Sequence, residues 1–267
     1  MTVDPDRDGR TALLVAMADD ELFTGHRHSH WTGVAPTLEE DLAFSSIAQD
    51  EMNHADVWYQ LVVGDDRAAI DAIAFGRSPD GYRNAVICER PPGDFAYTLA
   101  RHWLYDHADA VRLESLTGSS DTDIAAVATK LRHEERYHLE HADSWFERVL
   151  RAGDEQRDRM RDALATAFPE ALWLFEPTVH EDEVVATAVL PDPSVELLRR
   201  WLDLIAGALG EVGLDGVITG VESSADGWIV DGLFATAGGR RGVHTPDLDE
   251  AWDEMTGLYR AHPGAHW

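Results

Sequence analysis

Lysine is nearly absent from this 267-residue chain. Lys130 stands alone beside 21 arginines, against 30 aspartates and 20 glutamates, and the net charge is -28. Binding to nucleic acid phosphates needs clustered basic side chains, so such a partner is disfavoured. Cysteine occurs once, as Cys88. A lone thiol forms no internal disulfide and suits a reducing compartment. No apolar run approaches the length of a membrane span, and the opening Met-Thr-Val-Asp-Pro-Asp-Arg-Asp lacks a basic segment followed by an apolar one. These absences predict a soluble, cytoplasmic protein. A surface so one-sided in charge repels itself unless ions screen it, which predicts adaptation to a high-salt cytoplasm. An ordinary acidic protein is the alternative, and stability that rose little between low and molar salt would favour it.

Hydrophobic residues make up 44% of the chain, as in an ordinary folded globule. Helical periodicity dominates from about residue 8 to 175, with no strong alternating strand pattern there. Long helices are predicted at about 10–30, 38–63, 95–117 and 122–152. The second opens at Thr37 and Glu40, which have capping-box spacing. A short helix at about 66–75 and a Gly/Pro-rich connection from Gly76 to Gly93 join the second long helix to the third. Further helices are predicted at about 155–174 and 193–211. A Gly-rich stretch at 212–246 reads as a short hairpin or an extended arm. A last amphipathic helix follows Pro246, with Leu248, Trp252, Met255 and Tyr259 on one face.

The chemistry is concentrated in two Glu-x-x-His motifs, Glu51-Met-Asn-His54 and Glu135-Arg-Tyr-His138. Each follows a lone carboxylate by roughly one long helix: Glu21 precedes Glu51 by 30 residues, and Asp106 precedes Glu135 by 29. One Glu-x-x-His is expected by chance in a chain this rich in Glu and His, so the motif alone is weak. Its context is stronger. One stripe at steps of three and four reads Phe44, Ile47, Glu51, His54, Trp58, Leu61, and another reads Ile124, Ala128, Leu131, Glu135, His138, Ala142, Trp145, Val149. Glu21 and Asp106 likewise interrupt apolar seams. Carboxylates in such seams are costly to bury unless something neutralises them.

A carboxylate from each of two helices and a Glu-x-x-His pair from each of two others is the ligand set of a ferritin-like di-metal site. The expected fold is therefore all-α, a ferritin-like four-helix bundle over residues 1–175 with a crossover connection. Residues 176–267 would add C-terminal helices and an extended tail to the same domain. Glu21, Glu51, His54, Asp106, Glu135 and His138 are the candidate metal ligands. A buried Glu-His hydrogen-bonded network without metal is the alternative. His26, His28 and His30 form a cluster that suggests a second metal site, but their alternate spacing spreads them around the first helix, and the expectation is that they are solvated. His133, Glu134, Glu140 and His141 crowd the second motif. Arg240 and Arg241 could meet an anionic phosphate, but a contact between subunits or a turn-stabilising role is the expectation. Trp58, Trp103 and Trp145 are expected in the core.

Several segments carry a resemblance: Ala18-Asp-Asp-Glu-Leu22, Trp31-Thr-Gly33, Leu38-Glu-Glu-Asp-Leu-Ala43, Ile47 to Ala55, Asp94 to Asp106 and Lys130 to Leu139. Gly238-Gly-Arg-Arg-Gly-Val-His-Thr245 and the terminal Pro263-Gly-Ala-His-Trp267 complete it. Together they resemble the family of C-type subunits of bacterial phenylacetyl-CoA epoxidase over most of the chain, with 150–235 matching only loosely. The resemblance implies an accessory subunit of a multicomponent oxygenase in aerobic phenylacetate breakdown. A related A-type subunit would hold the working di-iron centre, a flavin and iron-sulfur reductase would supply electrons, and phenylacetyl-CoA would be the substrate. C-type subunits of this family lack several metal ligands, whereas all six are present here.

Carboxylate and imidazole donors suit iron, with manganese second, better than softer metals. Three functions follow as expectations. The first is the accessory subunit, the second an independent di-iron oxygenase, and the third an iron-oxidising or storage bundle. The C-terminal portion beyond the bundle argues against the third.

Overall fold

The computed structural model describes residues 3–225 and 227–265, so His266 and Trp267 of the terminal motif lie outside the described residues. The fold is all-α and ferritin-like, as expected. Its helices are α1 Gly9–Ser29, α2 Leu38–Val63, α3 Arg67–Phe75, α4 Val86–Glu89, α5 Phe95–Leu116 and α6 Thr122–Ala152. They continue with α7 Asp154–Ala171, α8 Glu181–Ala186, α9 Ser194–Glu211 and α10 Pro246–Ala261. One hairpin, β1 Glu222–Ser224 paired antiparallel with β2 Gly227–Ile229, occupies the Gly-rich stretch. The chain divides into two compact units. One comprises Met1–Pro91, Thr178–Glu183 and Ala237–Trp267, and the other Pro92–Pro177 and Val184–Thr236.

The first unit is organised around the α1–α2 pair. Asp8 caps α1 by accepting from the Thr11 amide at 2.7 Å, and Thr37 caps α2 by accepting from the Glu40 amide at 3.3 Å. Nearly all of α1 is buried, including Asp19, Asp20, Glu21, Arg27 and His28. A helix buried all round belongs to a core, and its charges need partners. Arg77 donates to both carboxylate oxygens of Asp19, and the Tyr59 hydroxyl donates to it as well. Arg240 meets Asp20 in the same two-pronged fashion, at 2.8 and 2.6 Å. Arg240 is thus a buried internal anchor. Its guanidinium also donates to the carbonyls of Ala16 and Arg83, so the partners seen here come from the chain itself. Arg241, by contrast, is exposed.

The connection between Gly76 and Gly93 is more ordered than its composition suggests. It holds a 3₁₀ turn at Pro79–Gly81 and the short α4, and Tyr82, Asn84, Ile87 and Glu89 are fully buried. The reason is the segment from Gly238 to Thr245, which docks on it. A Cβ on Gly239 would lie 1.9 Å from the Asn84 carbonyl oxygen, so only glycine fits. Glu89 accepts from the Thr245 amide and hydroxyl, both at 2.7 Å, and lies 2.8 Å from His244 Nδ1. Thr245 then caps α10, with Pro246 in its first turn. Leu248, Ala251 and Thr256 form the buried line of α10, flanked by half-buried Trp252, Met255 and Tyr259.

The second unit is built on α5, against which α6, α7 and α9 pack. Asp94 caps α5 and Asp121 caps α6. Trp201 stacks on Phe168 and donates its indole N–H to the Leu104 carbonyl at 3.2 Å. Trp103 stacks on Phe146, with centroids 4.4 Å apart. Trp58 and Trp103 are core residues as expected, but Trp145 is not. It is half-buried, edge-on to Phe95 and beneath Arg148, while Phe146 takes the core position. A helix of 3.6 residues per turn drifts off a strict 3-4 seam over 20 residues, which moves the buried stripe by one position at its end.

Candidate metal centre

In the first unit, three consecutive acids, Asp19, Asp20 and Glu21, fan out around α1. The first two face arginines. The third faces α2, where Glu51 and His54 share one side because they are three residues apart. His54 Nδ1 lies 4.0 Å from Glu21 Oε2, and one ligand atom from each of Glu21, Glu51 and His54 falls within 4.8 Å of the others. All three are at most 2% exposed. Gly25 makes this approach possible. A Cβ there would lie 2.9 Å from both the Ala48 carbonyl oxygen and the Glu51 Cβ, so a bare backbone lets α1 come close to α2 at the level of the acid.

In the second unit, the α6 motif presents the same pattern. His138 Nδ1 lies 2.9 Å from Glu135 Oε2, with His138 fully buried and Glu135 6% exposed. Asp106 on α5 is 2% exposed, and its Oδ2 lies 3.1 Å from Nδ1 of His102, one turn earlier. His102 in turn meets His141 through Nε2, 3.1 Å from His141 Nδ1. Sequence reasoning missed His102, although its i,i+4 relation to Asp106 was a readable signal. His102 thus holds Asp106 through one ring nitrogen while His141 fixes the other, as ligating carboxylates are held by further hydrogen bonds.

The surrounding candidates sort themselves by exposure. His133, Glu134 and Glu140 are exposed on α6, while Glu135 and His138 point inward. The three histidines at the end of α1 differ from expectation. Only His30 retains appreciable exposure, with 28% of its side chain accessible. His28 is fully buried with its ring 5.2 Å from Phe44, and His26 keeps 13%. The reason is that α1 is surrounded rather than half-exposed.

A cavity of about 830 Å³ opens within the second unit between α5, α6 and α9. Its walls are mainly apolar, including Val111, Leu113, Leu139 and Leu204. Arg132, Arg136 and Arg200 stand around it, and Glu135 forms part of the lining. Each arginine has an acidic partner: Glu114, Glu140 and Asp192 respectively.

The six candidate ligands form two buried sets of carboxylate, glutamate and histidine, one in each unit. Hard oxygen donors mixed with imidazole fit iron or manganese. None of the six is a thiolate, and the one cysteine, Cys88, is buried elsewhere, 3.7 Å from Asp20 Oδ1. Among the described residues, no helix is long and apolar enough to cross a membrane.

The chain is 28% identical over 262 residues to the C-type subunit of the 1,2-phenylacetyl-CoA epoxidase of Escherichia coli (strain K12). The alignment covers 96% of this chain and 98% of that relative. The model of the family described as phenylacetic acid catabolic protein matches residues 1–267. The chain therefore belongs to the phenylacetic acid catabolic protein family.

Proposed function

We propose that this chain is the C-type subunit of a multicomponent phenylacetyl-CoA epoxidase, acting in a heteromeric complex with a catalytic A-type subunit. The observation that carries this reading is likeness along nearly the whole length of both chains to a protein named for that role. A reductase component would supply electrons to the complex, and phenylacetyl-CoA would be bound there. The test is co-expression with the A-type chain of the same organism, followed by size-exclusion chromatography and mass measurement. A stable heteromer supports the reading. A chain that stays apart from its A-type counterpart at micromolar concentration and working salt overturns it.

A second reading, that this chain also carries a di-metal centre of its own, is favoured by the six buried ligands. Glu21, Glu51, His54, Asp106, Glu135 and His138 would hold two metal ions, with iron first and manganese second. Bound iron would supply the activation of dioxygen and the electrons for it. The protein's own groups would do the rest. The apolar seams around Glu51 and His138 would exclude water, His102 would hold Asp106 in orientation, and the cavity at Glu135 would admit a small apolar group.

Metal analysis of the isolated chain decides this second reading. Near two irons per chain, lost in a Glu51→Gln, Glu135→Gln double variant of unchanged circular dichroism, supports it. Iron absent from a folded wild-type chain after anaerobic ferrous loading rejects it and leaves the accessory role standing.

A further inference from the structure

We infer that His26, His30 and Glu254 form a separate site for a single divalent transition-metal ion of the zinc class, tying α10 to α1. The site lies wholly within the first unit and does not depend on the function proposed above. His26 lies in the last turn of α1 and His30, four positions on, is its C-cap residue in helical conformation, so the two share one helix face. Their rings lie 4.9 Å apart at a steep angle. Glu254, on α10, reaches across to both.

The His26 contact is within hydrogen-bond reach, and both histidine contacts are longer than a charge-assisted bond. His26 Nε2 and His30 Nε2 lie 3.4 and 3.3 Å from one and the same oxygen, Glu254 Oε2. Charge-assisted hydrogen bonds between nitrogen and carboxylate are shorter, at about 2.7–2.9 Å. Two ligand atoms bound tetrahedrally to zinc at about 2.0–2.1 Å are separated by about 3.3–3.4 Å. The ligand atoms of all three residues fall within 4.8 Å of one another. The two spacings to Glu254 Oε2 thus match the edge of a zinc tetrahedron, with a fourth corner left for water.

The surroundings suit the ion. The side chains are 13%, 28% and 47% exposed, so a hydrated ion can enter and keep one water. Arg27, the cation next in sequence to His26, is turned inward, donating to the carbonyls of Glu89 at 2.8 Å and Asp247 at 2.9 Å. Two histidines, one carboxylate and a water make the open four-coordinate set of zinc. The His-x-x-x-His spacing is present in the sequence, but its third ligand comes from 224 residues away and only the fold supplies it.

The test is zinc titration of the full-length chain by calorimetry, first stripped of metal. It is run on wild type, on Glu254→Gln, on His26→Gln, and on the Glu51→Gln, Glu135→Gln variant that removes the other candidate ligands. Thermal unfolding is followed in parallel. The expected result is one zinc step in wild type that persists in the Glu51, Glu135 variant. That step weakens at least tenfold in Glu254→Gln and in His26→Gln, with the zinc-induced rise in melting temperature lost. Glu254 is half-exposed, so its variant keeps the fold even where His26→Gln does not. A zinc step of unchanged affinity in folded Glu254→Gln overturns the inference, as does a wild-type chain whose entire zinc uptake disappears in the Glu51, Glu135 variant.

Discussion

Arg240 and Asp20 are 220 residues apart and form a two-pronged buried ion pair, with Nη2 to Oδ2 at 2.6 Å and Nη1 to Oδ1 at 2.8 Å. The same guanidinium also donates to the carbonyls of Ala16 and Arg83, which fixes α1 to the connection carrying α4. Removing one member of such a pair strands a buried charge. Arg240→Met is expected to destabilise the fold by about 3–5 kcal/mol, whereas replacing both members by apolar residues should cost much less. Urea unfolding of Arg240→Met beside the Arg240→Met, Asp20→Leu double variant checks this. Equal losses in the two would show that the charge pairing is not the cause.

Gly25 sets the closeness of α1 and α2 beside Glu51. Gly25→Ala should cost about 1–3 kcal/mol through overpacking against the α2 backbone. Gly207, inside α9, has nothing within 4 Å of where a Cβ would sit. The same substitution there is expected to stabilise by about 0.5–1 kcal/mol through the gain in helix propensity. Opposite shifts in melting temperature are the expected outcome, with any iron content lowered only by the change at Gly25.

Acid stability should register Asp192. The Arg200 guanidinium beside it holds its carboxyl below the usual carboxylate range against the opposing effect of burial, with help from the Ser115 hydroxyl at 2.8 Å. A depressed native value means that the unfolded chain takes up a proton first as pH falls. The contribution of this contact is therefore complete above the ordinary value of 3.8 and disappears as pH falls through the lower native one. Arg200→Gln should be less stable than wild type at pH 6 and lose that difference towards pH 2. A gap in stability that stays constant over this range would count against it.

Salt should act on the whole molecule. With a net charge of -28, self-repulsion is screened over about 10 Å at 0.1 M and about 3 Å at 1 M. The melting temperature is expected to rise steeply between 0.1 and 2 M potassium chloride. An ordinary acidic protein would show a shallow response over the same range.

The part of the molecule legible in the sequence is the local part. The α2 stripe from Phe44 to Trp58 is legible because apolar side chains at steps of three and four leave no other face to bury, and the interruptions at Glu51 and His54 stand out against it. The Thr37 cap is legible because its bond closes within three residues. The misplaced Trp145 shows where such a reading fails, since small errors in period accumulate along a 31-residue helix. His102 escapes a glutamate-to-histidine spacing of three because it precedes its aspartate by four. Arg240 and Glu254 are illegible for a different reason. Their partners are more than 200 residues away, and charge type alone does not say which of 50 acids an arginine will meet.

The run of three acids on α1 has a mechanical consequence. Successive side chains leave a helix about 100° apart, so Asp19, Asp20 and Glu21 index the rotation of α1 as three detents index a dial. Arg77 and Arg240 engage the first two. The heading of Glu21 is then set by neighbours that need no metal themselves. A chain carrying Glu21→Gln should keep the rotational setting of α1, so chemistry at that position can be altered while the helix stays where it is.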